Sequence, residues 1–178
     1  MKYPTIFDAI HDEFLMADIP FVLIGGFAMN AYGIHRNTKD VDFLILDKDF
    51  GRANAVMIQL GYRQLVKEEN FAQYRDSGNY QIDLDLMFVD AKTLGKIIEN
   101  GQKIKIAGKE FIVPGYKHLI ALKLHALKSN PNRQKDLLDI VSLVQFYKWD
   151  IHSAEFKSLC RTFGTEKLYE KIKILIET

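Results

Sequence analysis

The chain has one cysteine, Cys160, in 178 residues. That excludes an internal disulfide framework and a multi-cysteine zinc site. It has no excess of either charge, since 24 basic and 23 acidic residues leave a net charge of +1. Whole-chain charge therefore argues neither for nor against a nucleic-acid partner; only a local patch does. It lacks any apolar run of about 18 residues, so no membrane-spanning helix is predicted. Its first residues, MKYPTIFDAIHDEF, set acids among apolar positions and do not read as a signal peptide. The expected setting is the cytoplasm, with no membrane association. There is no GxxxxGK[ST] or GxGxxG pattern, which disfavours P-loop and Rossmann readings. His35, His118, His125 and His152 form no HExxH or His/Cys grouping, which argues against zinc. What remains is an ordinary globular composition, 48% apolar and 26% charged, in a chain long enough to build a core.

Hydrophobic spacing organises the chain into two parts. Residues 1–114 mix helix and strand periods. Ile6, Phe7, Ile10, Phe14 and Leu15 have helix spacing behind Thr5 as N-cap. Phe21–Ile24 reads as a buried strand ending at Gly25-Gly26, followed by a short helix that Gly33 closes. Val41–Leu46 reads as a strand, with Asp47 capping a helix over Phe50–Leu60. Strands are predicted at Tyr62–Val66, Phe71–Arg75 and Tyr80–Val89, then a helix capped by Asp90, then a hairpin over 103–113. Residues 115–178 carry helical periodicity alone, with helices at about 117–128, 134–147, 152–162 and 165–176. The expected fold is thus α/β (α+β), with a C-terminal helical segment packed on the first part.

Two stretches concentrate the chemistry: GGFAMNAYGIHRNTKDVDF, residues 25–43, and QIDLDLMF, residues 81–88. Asp40 and Asp42 share one face of a strand, and Asp83 and Asp85 repeat the arrangement. If the strands are neighbours, at least three carboxylates converge. They repel one another unless a hard cation such as Mg²⁺ or Mn²⁺ supplies counter-charge. Asp-x-Asp alone is weak evidence. Fourteen Asp predict about one chance pair and three occur, the third being Asp47/Asp49, which reads as helix capping. Asp40 and Asp42 differ in standing within an apolar strand, where a lone carboxylate is costly. Gly25-Gly26 sits at a strand-to-helix junction, where backbone N–H groups can approach a phosphate; a tight turn is the plainer explanation.

Together, LIGG (23–26), RNTKDVDFLI (36–45) and IDLDLMF (82–88) resemble the nucleotidyltransferase superfamily with the DNA-polymerase-β-like fold. The Arg-x-Thr-x-Asp-x-Asp form is most similar to the AbiEii-like and related uncharacterised bacterial branches. LIALKLHALKSNPNRQKDLLDIVSL, residues 119–143, resembles the helices that follow the catalytic half there. The resemblance implies a mixed sheet flanked by helices and transfer of a nucleoside monophosphate from an NTP to an acceptor hydroxyl. It implies that Asp40 and Asp42 bind Mg²⁺ or Mn²⁺ and that Asp85, in preference to Asp83, is the third carboxylate. It places Gly25 and Gly26 at the nucleotide phosphates, Arg36, Thr38 and Lys39 along the loop beside the site, and Lys123 on the triphosphate. Arg133, Lys135 and Asp136 are further candidates for nucleotide or acceptor contacts.

The implied partners are an NTP and an acceptor that is RNA, tRNA or a protein, with an antitoxin partner if the chain is an AbiEii-like toxin. The alternatives are a small-molecule, antibiotic-type nucleotidyltransferase, a non-catalytic nucleotide- or partner-binding member, and a phosphodiesterase using the same carboxylates. Plain structural roles compete for several residues. Lys123 reads as a lysine snorkelling at a helix edge, Arg36 and Lys39 as partners of Asp40, and His11 as a surface residue. Cys160 reads as a small core residue.

Overall fold

A computed structural model describes residues 2–178. Contacts divide the chain into Met1–Gly115 and Tyr116–Thr178. The first unit opens with α1 (Ile6–Met16), β1 (Phe21–Ile24), α2 (Gly25–Ala31) and β2 (Asp40–Leu46). A 3₁₀ turn, Asp47–Asp49, leads to α3 (Phe50–Gln59), β3 (Tyr62–Lys67), β4 (Phe71–Asp76) and β5 (Asp83–Val89). It ends with α4 (Ala91–Glu99) and a separate hairpin, β6 (Gln102–Ile106) and β7 (Lys109–Val113).

Five strands form one mixed sheet in the order β1-β2-β5-β4-β3. The central pair, β2 and β5, is parallel; the other pairs are antiparallel. Strand alternation separates the two faces. One face carries Leu23, Val41, Phe43, Ile45, Ala72, Tyr74, Leu84 and Leu86, all essentially buried. An aromatic cluster covers part of it. Phe43 lies 5.8 Å from Phe21 and 6.1 Å from Phe111, and Phe14 from α1 lies 5.6 Å from Phe21, mostly in edge-to-face geometry. The other face carries the four aspartates of β2 and β5.

Local sequence explains the ends of these elements. Thr5 and Asp8 form a capping box on α1. Asp90 accepts from the Thr93 N–H at 2.9 Å and starts α4. Three expectations need correction. The third Asp-x-Asp does not cap: Asp49 is buried and bonds Arg52 at 2.6 Å, and neither it nor Asp47 makes a side-chain cap. Residues 80–82 are loop, not strand, because the Asp76 carboxylate collects the N–H groups of Gly78, Asn79, Tyr80 and Gln81 at 2.7–3.1 Å. Gln81 there takes a φ of 58°. His11 is half-buried rather than superficial, its ring set edge-on to Phe21 and Phe111 and bonded to Asp12.

The second unit is four helices, α5 (Tyr116–Ser129), α6 (Gln134–Phe146), α7 (Ala154–Phe163) and α8 (Glu166–Glu177). Ser153 and Thr165 cap α7 and α8. Leu124, Ile140, Leu143, Phe156, Cys160 and Ile172 are fully buried. Burial pushes the Cys160 thiol up to about 12, so it is packing material and not a nucleophile. Lys123 does not snorkel. It is buried, and its Nζ donates to Asp136 at 3.0 Å and to Asp139 at 2.5 Å. Arg133 also pairs with Asp136. Burial alone would raise the Asp136 carboxyl, but Lys123 and Arg133 outweigh it and hold it below the usual carboxylate range.

Two outcomes follow. Lys123→Ala leaves two buried carboxylates without their cation and costs about 3–5 kcal/mol by chemical denaturation. Because the folded Asp136 carboxyl lies below its unfolded value, its stabilisation is complete above about pH 4 and is lost as pH falls further. Thermal melts between pH 7 and pH 3 read that loss, and Asp136→Asn reduces the slope.

Candidate active site

The parallel β2–β5 register is what builds the site. It sets Asp40 beside Asp83 and Asp42 beside Asp85, all four on one face. Like charges directly opposite each other destabilise a strand pair, so each carboxylate needs a reason to be there. Asp83 has one in the protein. It accepts the Asp76 N–H at 3.1 Å and pairs with Arg75 at 3.6 Å. The other three form a group: one carboxylate oxygen from each of Asp40, Asp42 and Asp85 lies within 4.8 Å of the others, and all three residues are half-buried. This donor set, three hard oxygens on rigid strands with partial access to solvent, fits Mg²⁺ or Mn²⁺.

Neighbouring residues hold each carboxylate. The Thr38 hydroxyl lies 2.7 Å from an Asp40 carboxylate oxygen and 3.0 Å from the Asp40 carbonyl. The Gln73 amide donates to Asp85 at 3.3 Å from β4, where Gln73 is the register partner of Asp85. Asp42 lies against Gly25. A Cβ on Gly25 would fall 1.9 Å from the Asp42 carboxylate oxygen, and Gly25 has a φ of +67°. A Cβ on Gly26 would fall 2.7 Å from the Thr38 Cβ. The glycine pair thus has a structural cause of its own: it leaves room for the two side chains that shape the site.

Arg36 sits on the loop between α2 and β2, where Asn30 accepts its N–H at 2.8 Å. Lys39, Asp40, Leu65, Gln73, Arg75, Asp83 and Asp85 line an open cleft of about 160 Å³ over the carboxylates. A larger cavity of about 440 Å³ opens at the other ends of β2 and β5, lined by Asp47, Lys48, Glu69 and Asp90 among others. It contains none of the converging carboxylates. Lys123 belongs to the helical unit and is engaged there by Asp136 and Asp139. Gln73 and Arg75 are not evident as site residues from the sequence. Their alternation on one strand was visible, but only the β4–β5 register places them beside Asp85 and Asp83.

The pattern of a family described as uncharacterised nucleotidyltransferases matches residues 2–178. No curated protein matches the chain. Solved structures show the same fold. The antibiotic-resistance factor ANT(2″)-Ia in solution has a TM-score of 0.60 at 14% identity, covering 97% of this chain and 89% of its own. The lincosamide adenylyltransferase LnuA with lincomycin has a TM-score of 0.55 at 12% identity, covering 77% of this chain and 93% of its own. A CCA-adding enzyme in complex with ATP has a TM-score of 0.50 at 15% identity, covering 88% of this chain and 41% of its own.

Thr38→Val keeps the side-chain shape against Gly26 and removes the bond to Asp40. Mn²⁺ binding, measured by isothermal titration, is expected to weaken by about 10–100-fold. Gly25→Ala is expected to abolish it, since Asp42 and a Cβ cannot occupy the same space; unchanged Mn²⁺ affinity would show that Asp42 is not a ligand.

Proposed function

The chain belongs to this nucleotidyltransferase family, and we propose that it transfers a nucleoside monophosphate from an NTP to an acceptor hydroxyl with a divalent cation held by Asp40, Asp42 and Asp85. The observation that carries this is the convergence of those three carboxylates, with Asp83 turned aside to Arg75 and the Asp76 N–H. Mg²⁺ or Mn²⁺, when bound, would supply the positive charge that a transferring phosphoryl group requires.

In this reading Asp40 and Asp42 would hold the cation, and Thr38 and the space at Gly25 set their side chains. Gly25 and Gly26 face the nucleotide phosphates, and Arg36 and Lys39 line the nucleotide side of the loop. Asp85 accepts the proton of the acceptor hydroxyl. The acceptor oxygen forms a bond to the α-phosphorus, the bond from that phosphorus to the bridging oxygen breaks, and pyrophosphate leaves. Catalysis is mainly positioning and charge stabilisation. In the same reading Lys123 contacts the triphosphate. Its ammonium is already shared by two buried carboxylates, so its substitution is a poor probe of chemistry. The narrower form, an AbiEii-like toxin with an antitoxin partner, rests on the Arg36-Asn37-Thr38-Lys39-Asp40-Val41-Asp42 motif and the helices over 119–143.

Asp42→Asn removes a charge with little change of volume and is expected to abolish transfer while the melting curve is retained. Asp85→Asn is expected to lower kcat by about 10²–10⁴, as loss of a general base does, and Asp83→Asn to lower it far less. Transfer from an α-labelled NTP checks all three. Equal losses at Asp83 and Asp85 would contradict the assignment of the base.

A further inference from the structure

Beyond the carboxylates, the same sheet face changes sign. Arg75 follows Gln73 by two residues on β4, so both point to the side of Asp85. Arg63 on β3 is the direct register partner of Arg75. The face therefore reads, strand by strand, Asp40, Asp83, Arg75, Arg63. Arg75 is exposed and loosely paired with Asp83 at 3.6 Å. Arg63 is exposed, and no ion-pair partner for it is found among the described residues. Two arginines directly opposite on adjacent strands repel.

A charge at Arg63 suits an edge strand, where it discourages pairing with another chain. That does not explain why it faces Arg75. A counter-charge for Asp83 explains Arg75, but not a second arginine beyond it. An anion supplied from outside relieves both. We propose that Arg63 and Arg75 form a phosphate-binding subsite for the acceptor. The inference rests on the transferase reading above and names the acceptor's chemistry: a hydroxyl compound that also carries a phosphate mono- or diester. With its hydroxyl at Asp85, such an acceptor presents phosphate to Arg75 and Arg63, about 8 and 12 Å away diagonally across the sheet. Arginine suits the task because its planar fork meets phosphate oxygens in pairs. A polycationic acceptor such as an aminoglycoside is repelled by the same pair.

The test is binding to the full chain with Mg²⁺, using three probes: a labelled mixed-sequence oligoribonucleotide, ribose 5-phosphate and kanamycin. Metal-dependent NTP binding by the wild-type chain is measured in the same preparation. The expected result is that Arg63→Gln weakens the oligoribonucleotide about 5–10-fold, reduces the salt slope by about one, and is partly rescued by Arg63→Lys. The same dependence with ribose 5-phosphate and not the oligonucleotide supports the subsite and identifies a small phosphorylated acceptor. Unchanged affinity for both in Arg63→Gln, or binding of kanamycin alone, overturns it. If NTP binds while Arg63 has no effect, this inference alone fails; if the wild-type chain binds no NTP, the transferase reading fails.

Discussion

Carboxylates held side by side across a parallel strand pair are the constraint around which the N-terminal unit is arranged. Asp40 with Asp83 and Asp42 with Asp85 are register partners on β2 and β5. In isolation that arrangement destabilises the centre of the sheet. Asp83 is paired with Arg75 and accepts the Asp76 N–H. The other three remain grouped within 4.8 Å. A divalent cation, as proposed for these three residues, would offset that repulsion.

The opposite face makes this arrangement tolerable. Phe43 alternates with Asp42 on β2, so the residue that follows a half-buried carboxylate is locked into an aromatic cluster with Phe21 and Phe111. Leu84 and Leu86 alternate with Asp85 in the same way and are fully buried. Each aspartate is thus held by apolar neighbours whose burial cannot be given up by a slip of one residue, since that slip would exchange the two faces. Gly25 and Thr38 then set the Asp42 and Asp40 side chains in place.

Much of this was legible in the residue pattern. The period-2 runs located β2 and β5, and the shared face of each Asp-x-Asp followed from alternation alone. The helices of the second unit followed from their apolar spacing. What was not legible depended on register and on long-range polar bonds. Asp83 and Asp85 are indistinguishable by spacing; the difference between them lies in Arg75 and Asp76, which only the β4–β5 pairing brings near. The loop over 80–82 read as strand because its order comes from the Asp76 carboxylate, not from its own side chains. Lys123 read as a triphosphate contact or an edge lysine, and its burial was not legible because Asp136 and Asp139 lie on a different helix. The glycine pair read as a tight turn or a phosphate approach; Gly25 has the positive φ of the turn, but the close approach of Asp42 to it was not legible.

The most direct test of the central claim is the fate of the NTP phosphates. The protein is incubated with Mg²⁺ or Mn²⁺, RNA and protein acceptors, and NTPs labelled at either the α- or the γ-phosphate. The expected result is that α-label moves to an acceptor, that γ-label is released as pyrophosphate, and that both events stop when the metal is chelated. Transfer of γ-label to the acceptor, or release of orthophosphate without α-label transfer, would contradict it.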